Sequence, residues 1–172
     1  MASLKSTRPE TPTLINIQRR RPMGSARPDA AEVPVEAPEG LHALFLRGRF
    51  PEELNVELFG GWGRLAVVKI FRGRPPHYAP WAELFGASPH LYGSPAELAI
   101  FRWIHRALPS GSNLYAEYVG DAETERQLRS GVPPPATRLG AVLLRSGFLA
   151  TADMYFPEGG REGGQKIRAV RL

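Results

Sequence analysis

Apolar positions recur along this chain with two different periods, and the change from one to the other outlines the fold. LHALFLR (41–47), LNVELF (54–59) and RLAVVKIF (64–71) are short apolar runs with β-branched and aromatic content, separated by turn residues, which predicts three strands. Val56 and Leu58 alternate with Asn55 and Glu57, so the second run has one buried face. The third is almost continuously apolar over 65–68 and reads as a central strand. Gly60-Gly61-Trp62-Gly63 tolerates positive φ, which makes 54–71 a hairpin and the three runs an antiparallel meander.

The period becomes helical after Ser94. Ser94-Pro95-Ala96-Glu97 has a capping-box arrangement, and Ile100, Phe101, Trp103, Ile104, Ala107 and Leu108 then share one broad face opposite Arg102 and Arg106. Glu97 falls on the apolar side, where its place in the cap accounts for it. His105 lies on the helix flank and is expected to be exposed. Pro109 and Gly111 stop the helix, and NLYAEYV (113–119) follows as a strand.

Asp121 caps a short polar helix with early acids and late arginines, whose one large apolar residue, Leu128, predicts a surface position. Three prolines (133–135) lead into a helix, ATRLGAVLLRS, that turns Leu139, Val142, Leu143 and Leu144 inward. Strands at 148–156 and 165–171, joined by PEGGREGG, complete the chain. The connector at 72–93 is long for a compact domain, and WAELF within it has room for one helical turn.

Composition adds boundaries. Residues 1–38 are rich in Pro, Ser, Thr, Arg and Glu and read as a disordered or extended tail before a single domain at 39–172. The net charge of +5 divides as +2 in the tail and +3 in the body, with no basic stripe, which argues against nucleic acid as the main partner. With no cysteine in the sequence, thiolate nucleophiles and disulfides are excluded. The histidines at 42, 77, 90 and 105 lack ligand-like spacing, so no metal site is expected. No apolar run reaches the roughly 18 residues a membrane span needs, and the chain reads as cytoplasmic.

Candidate chemistry is sparse. Tyr92-Gly93-Ser94, with His90 just before, leads into a helix N-terminus whose N–H groups can hold an anion. Gly140 sits inside a helix, where glycine costs about 1 kcal/mol relative to alanine; it either lets the helix approach a strand or leaves room for a cofactor. Glu117 can act as a general base, and Tyr118 or Tyr155 can donate a proton. The glycine-rich 157–166 segment could close over a ligand as a flap.

Three antiparallel strands, a helix, a strand, a helix and a final hairpin resemble the core of the Gcn5-related N-acetyltransferase fold over roughly residues 41–171. The resemblance implies an α+β single domain with a mixed, mainly antiparallel sheet and helices packed on it. It implies a cofactor pyrophosphate at the Gly93–Glu97 turn and a strand Leu114–Tyr118 that splays from its neighbour to admit an acyl-pantetheine arm. LYAEY, GVPPPATRLG and YFPEGG resemble a small, largely archaeal family, number 1122 of the domains of unknown function. The expectation is transfer from acetyl-CoA or another acyl-CoA to a small-molecule or protein amine, with Glu117 as base, Tyr155 as acid, and His90, Tyr92, Gly93, Ser94 and Gly140 about the cofactor. A rival reading is a non-catalytic module for an acidic ligand, RNA or protein. A weaker one is a methyltransferase-like fold, because LPSGSNLYAEY and LLRSGF resemble the second half of that architecture.

Overall fold

One row of small and branched apolar side chains crosses the middle of the protein and shows how its sheet is assembled. Val56, Val68, Leu84, Ala116 and Ile167 stand side by side on five strands, and all are buried. The computed structural model describes residues 36–74, 78–156 and 164–172. Its strands are β1 (His42–Arg47), β2 (Glu53–Gly60), β3 (Gly63–Phe71), β4 (Trp81–Phe85), β5 (Asn113–Glu117), β6 (Phe148–Phe156) and β7 (Gly164–Arg171). Its helices are α1 (Pro95–Ala107), α2 (Ala122–Arg129) and α3 (Arg138–Arg145), with a 3₁₀ turn at Pro134–Ala136. The sheet order is β1-β2-β3-β4-β5-β7-β6, and every described pair is antiparallel except β4 with β5.

The α+β class and the mainly antiparallel sheet therefore hold. A methyltransferase-like parallel sheet does not, because β4 with β5 is the one parallel pair of neighbours among the described strands. WAELF is strand β4 and not a helical turn. It pairs with the end of β3 on one side and with β5 on the other, burying Ala82 and Leu84 on the core face. The tail up to residue 35, His77 and most of the glycine-rich segment lie outside the described residues.

α1 lays Ile100, Phe101, Trp103 and Ile104 on the core face, where Leu139, Val142 and Leu143 of α3 meet them. Leu144 faces solvent instead, because the apolar stripe of so short a helix is complete without it. Trp103 anchors the start of the described chain by donating its indole N–H to the Glu36 carbonyl at 2.7 Å. His105 is part-buried, not exposed. It packs edge-on against Phe148 and accepts a hydrogen bond from Arg171 Nε at 3.2 Å. Burial, then Arg171 and Arg106, lower its pKa, so the ring is kept neutral.

The other face of the sheet carries charge. Lys166 Nζ reaches diagonally across β5 to Glu83 Oε1 on β4 at 2.6 Å, and both side chains are buried. An ion pair so deep repays its desolvation only when both partners are present.

Gly140 has a purely structural reason. A Cβ there would lie 2.1 Å from the Pro134 carbonyl oxygen, so the 3₁₀ turn can press on α3 only where no side chain intervenes. This removes it from the cofactor-binding set. Gly140→Ala should lower stability by about 1–3 kcal/mol, measured as a shift of the urea midpoint. An unchanged midpoint would mean that the turn and the helix are not in contact.

Candidate functional site

β4 and β5 run side by side only from Trp81 to Leu84 and from Asn113 to Ala116. Beyond that point β5 continues to pair with β7, through Glu117 with Lys166, while the chain leaves β4 through Gly86, whose φ is +57°. The strands thus part at their C-terminal ends, where a crossover fold exposes backbone groups to a ligand. The gap is not open, however. Ala87 N–H donates to Glu117 Oε2 at 3.3 Å, and the Tyr92 hydroxyl lies 3.3 Å from the Glu117 carbonyl and 3.1 Å from that of Val119, donating to them. The expected splay is shallow and bridged by the protein's own side chains. Burial, then the Glu117, Asp121 and Glu97 carboxylates, push the Tyr92 phenol upward, so it remains a donor.

Behind Tyr92 lies a buried ionic knot. Arg138 Nη1 and Nη2 each donate to Glu97 at 2.7 Å, Nε donates to Asp121 Oδ2 at 2.9 Å, and Nη2 also bonds Asp121. Its guanidinium lies 5.8 Å from the centre of the Tyr92 ring. Asp121 additionally accepts from the Thr124 hydroxyl at 2.6 Å and the Thr124 amide at 3.3 Å, capping α2. Glu97, 2% exposed, accepts the Gly93 amide at 2.9 Å.

The predicted capping box is therefore not formed, since neither of its two bonds is made. Glu97 reaches back to the residue before the cap, and the Ser94 hydroxyl donates to the Leu91 carbonyl at 2.7 Å instead of capping α1. Burial alone would raise the Asp121 pKa and lower that of Arg138. Hydrogen bonds outweigh it, those to Glu97 and then Asp121 raising Arg138 and those from Arg138 and then Thr124 lowering Asp121, so both stay charged.

Between the first turn of α1 and α3 is a recess of about 290 Å³ lined by Gly93, Ser94, Glu97, Leu98, Arg138, Ala141, Val142 and Arg145. Arg138 is committed to its carboxylates. Arg145 is exposed and makes no hydrogen bond or ion pair among the described residues.

The residues singled out from the sequence divide accordingly. Gly93 and Ser94 line this recess, and Tyr92 and Glu117 meet at the strand gap beside it. His90 is exposed and stacks on Trp62 at 5.8 Å, outside the recess. Tyr155 is 72% exposed and pairs with Gln165, so it shares the helix-covered face with Ile167. Glu117 pairs with Lys166 on the opposite face, so the two cannot form an acid–base pair. Tyr118 is buried and donates to Asp153 at 2.7 Å. Sequence reasoning does not single out Arg138 or Arg145, and it reads Asp121 only as the cap of α2, which it is. The available signal was an arginine opening a helix, where the dipole disfavours a cation, together with a glutamate on an apolar face.

The family described as "Protein of unknown function (DUF1122)" matches residues 41–171. A crystal structure of a protein of unknown function, AQ1966 from Aquifex aeolicus VF5, is 37% identical, covers 79% of this chain and 74% of its own, and superposes with a TM-score of 0.65. Spermidine N-acetyltransferase from Vibrio cholerae in complex with CoA and spermine is 8% identical, with 71% and 66% covered and a TM-score of 0.41. An acetyltransferase of the GNAT family from Streptococcus pneumoniae is 11% identical, with 72% and 70% covered and a TM-score of 0.40. Likeness at that level carries no argument about activity. No curated protein matches the chain.

Removing the guanidinium leaves two buried carboxylates facing each other. Arg138→Met should cost about 3–5 kcal/mol at neutral pH. The pH dependence should also reverse. In the parent chain the depressed Asp121 pKa contributes stability that is present above the ordinary carboxylate value, about 3.9, and is lost as pH falls through the folded value. In the variant, acidification toward pH ~5 should restore stability by neutralising the unpaired acids. Urea midpoints across pH for both proteins check this, and parallel profiles would contradict it.

Proposed function

The chain belongs to the DUF1122 family, and we propose that it is an N-acyltransferase-like domain that holds acetyl-CoA or another acyl-CoA and serves a small-molecule or protein amine. The observation that carries this reading is the combination of a parted parallel strand pair with a recess at the N-terminus of the intervening helix. A pyrophosphate suits the recess. The first turn of α1 supplies positive dipole and Gly93 keeps the approach clear, while Arg145 offers a guanidinium with no carboxylate partner among the described residues.

The strand gap suits an amide-bearing arm once Tyr92 swings aside. The Glu117 and Val119 carbonyls now occupied by its hydroxyl would accept amide N–H groups in its place. When bound, the acyl-CoA supplies an activated thioester carbonyl. Glu117, whose carboxylate stands at the strand gap, is the proposed base, taking a proton from the acceptor amine directly or through water. Tyr92, not Tyr155, is the hydroxyl beside it. His90 and Gly140 have no part in this arrangement.

A second reading has its own support. The closed gap, with Tyr92 and Glu117 both bonded across it, favours a domain that binds an acidic ligand in the recess without transferring anything.

Calorimetric titration with acetyl-CoA separates the two. The first reading expects binding that weakens about tenfold, or ~1.4 kcal/mol, in Arg145→Ala. Glu117→Gln should retain binding and lose acyl transfer to a polyamine or lysine panel. Binding by the parent chain with no transfer to any amine leaves the second reading. No heat and no thermal shift would remove the acyl-CoA proposal.

A further inference from the structure

At the other end of β4, away from the Glu117 gap, two recesses share a wall. The larger, about 590 Å³, opens between the β1–β2 turn and the end of β3, and Arg47, Arg49 and Arg72 line it. Arg47 and Arg49 flank one turn and Arg72 follows β3; all are exposed, and none of their side chains makes a hydrogen bond or ion pair among the described residues. The turn that brings Arg47 and Arg49 together is tight, because a Cβ on Gly48 would lie 2.4 Å from the Glu53 side chain. Glu53 is the one carboxylate in the lining, so three guanidinium groups converge on a space that holds a single negative charge. Such an arrangement is self-repulsive until an anion enters, and arginine forks match phosphate oxygens.

The neighbouring recess, about 380 Å³, is aromatic, and Phe50 and Glu53 line both. Phe71 and Trp81 stack at 5.8 Å, while Phe50 and Tyr78, 50% and 63% exposed, offer ring surface to solvent. Glu52 lines it too. Arg74 donates to Glu52 Oε1 through Nε at 2.9 Å and Nη2 at 2.8 Å, whereas Oε2 is buried and has no partner among the described residues. A buried carboxylate oxygen without a donor is costly, and a ligand N–H would satisfy it once the part-exposed carboxylate turns toward the recess.

We infer that the joined recesses bind a nucleoside phosphate, with the phosphate among Arg47, Arg49 and Arg72, the base against the aromatic wall, and a base amino group donating to Glu52. This does not rest on the acyl-CoA reading, since no residue is shared with the α1 recess.

The test is calorimetric titration of the full chain with AMP, GMP, adenosine, inorganic phosphate and a single-stranded oligoadenylate. AMP or GMP should bind at least about tenfold more tightly than adenosine or phosphate alone, because both halves contribute. Arg49→Ala and Arg72→Ala should each weaken that binding by about tenfold, as should Phe50→Ala, while Arg145→Ala leaves it unchanged. All four side chains are exposed, and unchanged melting temperatures confirm folding. Added salt should weaken AMP binding and spare adenosine binding. Mononucleotides that bind no better than phosphate overturn the inference, as does insensitivity to the arginine variants. Binding of the oligonucleotide alone also overturns it, in favour of a backbone-tracking nucleic-acid surface.

Discussion

One guanidinium shared by two buried carboxylates organises the helical side of this protein. Arg138 opens α3, Glu97 belongs to the first turn of α1 and Asp121 caps α2, so a single side chain fixes the starts of three helices. Surrounding groups extend the knot. Gln127 accepts the Arg138 amide at 2.7 Å, and the Thr124 hydroxyl accepts the Leu139 amide while donating to Asp121. Burial of this kind is favourable only when every partner is in place, which ties positional precision to the whole set rather than to any one bond. Tyr92 lies against the same guanidinium and reaches the end of β5, so the knot also sets the position of the strand gap.

The sheet obeys a similar logic on its other face. β4 inserts a carboxylate into the middle of the sheet, and Lys166, two strands away, makes that insertion tolerable. The long connector between β3 and α1 thereby becomes a strand, and its pairing with β5 is the one parallel pair of neighbours among the described strands. Both candidate sites follow from β4: the bridged gap and α1 recess at its C-terminal end, and the arginine and aromatic recesses at its start.

This division explains what could be read from the sequence. The meander, α1, β5 and the closing strands were legible because each carries its own period and its own turn residues, as the Val56–Leu58 alternation and the Gly60–Gly63 turn illustrate. β4 was not. WAELF is short, mixes helix and strand formers, and holds a charge whose partner lies far along the chain, so no local signal marks it as a strand. The Ser94 region reads as the start of a helix with an anion-binding turn, yet Glu97 reads as part of the cap because Arg138 is distant in sequence. Glu117 and Tyr155 read as an acid–base pair because nothing local reveals the irregular register of β6 near Thr151, and pairing with β7 places them on opposite faces. Gly140 illustrates the same limit, since its neighbour is a backbone carbonyl that periodicity does not show.

The central claim is that Arg138 and Glu97 act as one unit, not as two independently placed side chains. A double-mutant cycle with Arg138→Met and Glu97→Gln, read by urea unfolding at neutral pH, tests it directly. A coupling energy of about 2 kcal/mol or more is predicted, within the range seen for residues in one hydrogen-bonded network. Effects that add to within about 0.5 kcal/mol, as for distant sites, would contradict the account.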